Sequence, residues 1–215
     1  MGPVLCLVSD RRRAGGVDAL VALAGAASAA GVHLIQIREP ALEGRALCGL
    51  VAACVAAVRG TRTRVLVNDR LDVAVAAGAH GVHLPGTGAP AGRVRAAAPP
   101  GFLIGRSVHR RDEAVQAAAN GGLDYLVFGT VFESRSKPGG DAAGLEALRE
   151  VAAAVPLPVL AIGGMDAERL GDVAGSGAAG IAAISLFAGQ TPEGLQSLVS
   201  RAALAFGRPR ADNLG

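Results

Sequence analysis

Eight short runs of β-branched and aliphatic residues alternate with Ala-rich stretches along the whole chain, and this alternation most constrains its fold. The runs are PVLCLVS (3–9), VHLIQIR (32–38), RVLVN (64–68), GVHLP (81–85), FLIGRSV (102–108), YLVFGTV (125–131), PVLAIGG (158–164) and GIAAISLF (180–187). They read as buried strands, and intervening segments such as VDALVALAGAASAAG, ALCGLVAACVAAVRG and LEALREVAAAV carry apolar residues at helical spacing. Gly31, Gly60, Pro156, Pro158 and Gly177 punctuate the chain just ahead of strands. Eight strand–helix units in 215 residues predict a parallel sheet, and eight is the number that closes a TIM (β/α)8 barrel. An open doubly wound sheet is the alternative; unit count and length favour the barrel. No linker-like shift in composition interrupts the pattern. A single α/β domain is expected over residues 1–207, with a flexible tail at 208–215.

Composition narrows the function. The chain is 51% hydrophobic and 18% charged, which excludes a disordered polymer. Aromatics make up 3% and interleave with no basic stripe, so nucleic-acid binding has no support. The net charge of +3 suits anionic metabolites. Cys6, Cys48 and Cys54 lack metal-ligand spacing, and their odd number with no secretory signal in MGPVLCLVSD reads as reduced thiols in the cytoplasm. No run of 18 apolar residues predicts a membrane span. A small-molecule ligand is the expected partner, and a homo-oligomer is left open.

In barrels of this kind chemistry sits where strands end and βα loops begin. The second strand ends IQIREP, with Gln36 and Arg38 two apart and so on one side; a solvent-facing arginine is the alternative for Arg38. The third ends VNDR, where Asn68 and Asp69 read equally as a helix cap or as metal or substrate contacts. His83 in GVHLPGTG reads as structural. The fifth ends GRSVHRRDEA, placing Ser107 and His109 on one face and Asp112 as a cap for the next helix, without the orienting acid of a nucleophilic triad. In YLVFGTVFESRSKPGG the sixth strand runs into Ser134, Arg135, Ser136 and Lys137, hydroxyls and cations suited to phosphate or carboxylate oxygens. AIGGM and ISLFAG close the last two strands, and backbone N–H groups of these two loops form a recurrent phosphate site. The plainer reading is that the glycines turn the chain.

Across nearly its whole length the chain resembles the thiamine phosphate synthase/TenI family. The resemblance rests on IQIRE, VNDRLDVAVAAGAHGVHLP, IGRSVHRRDEAVQAA, DYLVFGTVFESRSKPGG, PVLAIGGM and GAAGIAAIS, in the family's order and spacing. It implies a TIM barrel acting on the thiazole phosphate half of thiamine. It also implies that Gln36, Arg38 and Asn68 serve the pyrimidine diphosphate, that Asp69 is a magnesium ligand, and that Ser107 lies near the diphosphate. Ser134 and Ser136 fall on thiazole-phosphate hydroxyl positions, Lys137 on the diphosphate-binding lysine, and Gly164, Ile184 and Ser185 on backbone positions that hold the thiazole phosphate.

Two synthase features are absent. The lysine of the synthase pattern QLREK is Pro40 here, and the second magnesium aspartate of HLGQED is Gly88. Mg²⁺ would then rest on Asp69, water and substrate oxygens. The phrases GRSVH, YLVFGTVFE and AIGGM look more like the TenI branch, a thiazole tautomerase that requires no metal. Where the TenI pattern GHVFE carries its catalytic histidine this chain has Thr130, which cannot act as a base at neutral pH. His109, expected to top the neighbouring strand, is the candidate proton carrier, with Ser107 and Thr130 in the same catalytic group. The sequence reading therefore favours a TenI-like tautomerase without a cofactor. Its alternative is thiamine phosphate synthase with Mg²⁺, and a third reading is a non-catalytic thiazole- or thiamine-phosphate binding protein.

Overall fold

The computed structural model describes residues 2–133 and 142–207. Its strands are β1 (Val4–Val8), β2 (Leu34–Ile37), β3 (Arg64–Asn68), β4 (Gly81–Leu84), β5 (Leu103–Val108), β6 (Tyr125–Gly129), β7 (Val159–Ile162) and β8 (Gly180–Ala183). Each pairs in parallel with the next, and β8 returns to β1 to close the barrel. The connecting helices are α1 (Arg11–Ala14), α2 (Val17–Ala30), α3 (Gly44–Ala57), α4 (Leu71–Ala76), α5 (Ala91–Ala97), α6 (Arg111–Ala119), α7 (Gly144–Ala154), α8 (Leu170–Gly175) and α9 (Pro192–Phe206). The expected (β/α)8 barrel is thus the fold. The tail expected at 208–215 lies outside the described residues.

The strands read as unbroken apolar runs because both of their faces are buried. Alternate residues point inward, where Cys6, Val8, Leu34, Leu66, Tyr125, Val127, Leu160 and Ala182 make a core of their own. The residues between them, including Leu5, Leu7, Ile35, Ile37, Val65, Val67 and Phe128, face the helices and pack with Leu20, Val51, Leu148 and Leu195. Local signals set the helix ends. Asp10 caps α1 through its side chain, accepting from the N–H groups of Arg12 and Arg13, and left-handed Gly31 closes α2. Thr191 caps α9, with Pro192 in the first turn.

Glycines let the barrel close tightly. A Cβ on Gly81, Gly129 or Gly180 would stand 2.2, 2.1 or 1.9 Å from a carbonyl oxygen of the adjoining strand, and one on Gly105 would stand 2.1 Å from the Tyr125 ring. Gly105 and Tyr125 are register partners, so the missing side chain on β5 makes room for the large one on β6. The cysteines are free thiols; burial pushes Cys6 and Cys54 up to about 12, which leaves them inert near neutral pH. Among the described residues no helix is long and apolar enough to cross a membrane.

Candidate active site

The polar inward residues cluster at the C-terminal ends of β2 to β5. Gln36 on β2 donates from Nε2 to Asn68 Oδ1 on β3 at 3.2 Å. Helix α4 begins after Arg70 with no side-chain cap, so Asn68 and Asp69 are not the helix cap that was one reading of the sequence. Asp69 holds φ 62°, alone in the left-handed region among described non-glycine residues, a conformation that short polar side chains tolerate. Its N–H donates to the His83 carbonyl at 2.9 Å, and Arg70 N–H bonds the Asn68 carbonyl at 2.8 Å. The Arg70 guanidinium turns to Asp72, with contacts of 2.8 and 2.6 Å. The exposed Asp69 carboxylate accepts no hydrogen bond among the described residues.

Inside the rim, His83 on β4 spans two strands: Nε2 lies 2.8 Å from Ser107 Oγ and Nδ1 lies 3.1 Å from Tyr125 OH. Burial, then the nearby Arg106 and Arg38, lower its pKa from 6.5 to about 4, so the ring is neutral and one nitrogen donates while the other accepts. His83 is structural, as the sequence suggests, but it also fixes the hydroxyl of Ser107 at the site. Tyr125 is not singled out by the sequence, where its only mark is that it is the chain's one tyrosine; its place opposite Gly105 comes from strand pairing.

This depressed pKa has a measurable consequence. The unfolded chain binds a proton at His83 near pH 6.5 and the folded chain only near 4, so stability is full above 6.5 and declines as pH falls toward 4. The expected loss across that window is at most about 3 kcal/mol. His33 and His80 are also lowered by partial burial and add losses of the same sign. Urea denaturation at pH 7 and pH 4.5 should show the decline, and His83→Gln should reduce it without removing the share due to His33 and His80.

Ser107 and His109 leave β5 on one side as expected but take different partners. His109 is exposed, and its Nδ1 lies 2.5 Å from the Gly129 carbonyl oxygen, which only accepts, so Nδ1 carries the proton. Asp112 does not cap α6; it pairs with Arg110 at 3.1 Å, and Glu113 instead accepts from the His109 N–H at 2.7 Å. Thr130 follows β6 with its methyl group directed at Gly163: a Cβ on that glycine would stand 2.5 Å from Thr130 Cγ2.

At the far side of the rim, β7 and β8 run into tight turns. Gly163 and Gly164 adopt φ of 101° and 62°, and a Cβ on Gly164 would stand 2.4 Å from the Glu133 carbonyl oxygen. Arg169 braces this turn from its guanidinium to the Gly164 carbonyl at 2.6 Å while stacking over Phe132 at 4.5 Å. The Ile184 carbonyl accepts from Phe187 and Ala188, forming a single turn after β8. The N–H groups of Gly164, Ser185 and Leu186 donate to no partner among the described residues, an arrangement that suits an anion. Ser134, Arg135, Ser136 and Lys137 lie outside the described residues.

A closed parallel barrel whose polar side chains gather at the strand C-termini defines a βα-barrel enzyme scaffold. The chain belongs to the thiamine monophosphate synthase family, whose model matches residues 5–187. It is 46% identical over 169 residues to a thiamine-phosphate synthase of Methanoculleus marisnigri, spanning 78% of this chain and 80% of that protein. It is 40% identical to a putative thiamine-phosphate synthase of Geobacter sulfurreducens, spanning 84% of each. Among solved structures, the thiamine phosphate pyrophosphorylase from Pyrococcus furiosus superposes with a TM-score of 0.83 at 30% identity, covering 95% of this chain and 97% of that one. A 3-hexulose-6-phosphate synthase, at TM-score 0.67 and 18% identity, shares the fold alone. These relatives back the synthase alternative better than the tautomerase favoured by the sequence reading, for which they offer no support.

Proposed function

We propose that the chain is a thiamine phosphate synthase, joining hydroxymethylpyrimidine diphosphate to thiazole phosphate with release of diphosphate. The observation that carries this reading is the Asp69 carboxylate, without a partner among the described residues, beside the bonded Gln36–Asn68 pair, in a chain whose relatives carry the synthase name. The position of the TenI histidine holds Thr130, which presents a methyl group to Gly163 and cannot act as a base.

In the reaction the bond from the pyrimidine methylene carbon to diphosphate oxygen breaks, and that carbon bonds the thiazole nitrogen. The departing diphosphate takes the electron pair, so the site must neutralise charge developing on it. Arg38, exposed at the end of β2, supplies a fixed cation. Among the described residues no group of three or more His, Cys, Asp or Glu is arranged as a metal cage. The single exposed carboxylate of Asp69 fits Mg²⁺, which commonly takes one or two carboxylates and completes its shell with water and substrate phosphate oxygens. Asp69 would hold it, and the ion would supply neutralisation of the leaving group. A side chain at position 88 would require the β4–α5 turn to shift, because a Cβ there would stand 2.9 Å from Pro85 Cδ.

The Gln36–Asn68 bond leaves Gln36 Oε1 and Asn68 Nδ2 without a partner among the described residues, an acceptor and a donor for the edge of a pyrimidine. Ser107, steadied by His83, faces the reacting centre, and the turns at Gly164 and Ser185–Leu186 offer backbone donors to the thiazole phosphate. Ser134, Ser136 and Lys137 keep the roles that the family resemblance gives them, and Arg135 is assigned to the same anion.

The test is to incubate the protein with thiazole phosphate or its carboxylate, with and without hydroxymethylpyrimidine diphosphate and Mg²⁺, and to follow products by NMR. Thiamine phosphate forming only when both pyrimidine and Mg²⁺ are present is the expected result. Isomerisation of the carboxylate without pyrimidine, or binding without turnover, would overturn the proposal.

A further inference from the structure

Glu39, immediately after Arg38, is a carboxylate buried to 9% exposure. A buried charge persists only where it is well bonded. Here Oε1 accepts from Ser9 Oγ at 2.7 Å and from the Arg11 N–H at 2.9 Å, while Oε2 lies 3.6 Å from Arg11 Nε. Because a carboxylate only accepts, the Ser9 hydroxyl must spend its proton on Glu39, and its lone pairs then face the Arg38 N–H at 2.9 Å. Ser9 N–H in turn donates to the Gln36 carbonyl at 2.9 Å. One carboxylate therefore dictates the direction of a hydrogen-bond relay that joins the end of β1 to the end of β2.

The geometry points to Glu39 as the positioning residue for Arg38. It acts through Ser9 on the Arg38 backbone and directly on the first residue of α1, Arg11. Arg11, Arg12 and Arg38 line one cleft of about 240 Å³ that reaches Ile184 at the end of β8. Asp10 and Glu39 also line it, but Asp10 caps α1 and pairs with Arg13, and Glu39 is bonded to Ser9 and Arg11, so three arginines outnumber two engaged carboxylates. The surface left to a ligand is therefore cationic, and its aim depends on the buried carboxylate. This inference rests on the proposal that Arg38 meets the diphosphate of the pyrimidine substrate.

The experiment compares Glu39→Ala, Glu39→Gln, Ser9→Ala and Arg38→Ala in steady-state assays, with calorimetric titration of inorganic pyrophosphate alongside. Glu39→Ala is expected to raise KM for the pyrimidine diphosphate by about tenfold and to leave KM for thiazole phosphate unchanged, since misaiming one binding group degrades its own contact. Glu39→Gln keeps an acceptor for Ser9 and Arg11 and should recover most of the loss. Ser9→Ala breaks the relay while leaving Glu39 in place, so it should reproduce the same KM signature even where Glu39→Ala does not fold. In the Arg38→Ala background, Glu39→Ala should cost almost nothing more. Equal rises in both KM values, or effects that multiply in the double variant, would overturn the positioning role. Should no thiamine phosphate form at all, the synthase proposal fails by itself, and pyrophosphate titration still decides this one. Weaker binding in both Glu39→Ala and Arg38→Ala supports it, and unchanged affinity in Glu39→Ala overturns it.

Discussion

Asp69→Asn is expected to lower synthase turnover by roughly a hundredfold or more while leaving the fold untouched. The substitution is a clean probe for two reasons. Asparagine adopts the left-handed backbone at least as readily as aspartate, so φ 62° adds no strain, whereas alanine at that position would. The carboxylate is exposed and accepts no hydrogen bond among the described residues, so losing its charge removes no internal contact. The Tm should therefore be unchanged while turnover collapses, and excess Mg²⁺ should recover part of it. Synthase turnover equal to wild type at limiting Mg²⁺ would show that the cation is not held at Asp69. Unimpaired isomerisation of the thiazole carboxylate would instead return the protein to the tautomerase reading. The two chemistries are thus separable at a single side chain: only one of them must take up the charge of a leaving diphosphate.

The barrel was legible because its signal is redundant. Eight apolar runs separated by helical segments leave few other ways to bury so many two-faced strands, and every run contains the strand observed. The strand ends were legible: Gln36, Arg38, Asn68, Asp69 and Ser107 stand at or just after the ends of β2, β3 and β5, and period-two spacing is what paired Gln36 with Arg38. What the sequence withheld are relations across strands. That Tyr125 reaches His83 over Gly105, and that Glu39 reaches back to Ser9, depends on pairings 42 and 30 residues apart that no local pattern encodes. The choice between two reactions was read from Pro40 and Gly88, which stand where the synthase pattern has lysine and aspartate, and from TenI-like phrases, with Thr130 counting the other way. Gly88 weighs less than that pattern suggests on chemical grounds, since Mg²⁺ needs few protein ligands when a substrate brings phosphate oxygens. Arg11 and Arg12 place cations in the cleft that Pro40 lines, a proximity through folding that the sequence pattern could not display.

Gly180→Ala is expected to destabilise the protein by about 3 kcal/mol or more, although it adds one methyl group to a chain rich in alanine. Val4 and Gly180 are register partners at the seam where β1 and β8 close the barrel, and Val4 N–H donates to the Ala179 carbonyl at 2.9 Å. A Cβ on Gly180 would stand 1.9 Å from the Val4 carbonyl oxygen and 2.6 Å from its nitrogen. Backbone cannot swing aside as a side chain does, so relief requires β1 to withdraw and give up ladder bonds at the seam. For a chain of this size the cost corresponds to a Tm lower by roughly 10 °C. Gly49→Ala supplies the opposite case within the same protein. Gly49 is exposed inside α3, and a Cβ there meets nothing within 4 Å. Helix propensity then governs, and a gain of about 0.5–1 kcal/mol is expected. Thermal unfolding of both variants checks the argument: equal shifts would mean that conformational freedom, not closure of the seam, decides what a glycine contributes here.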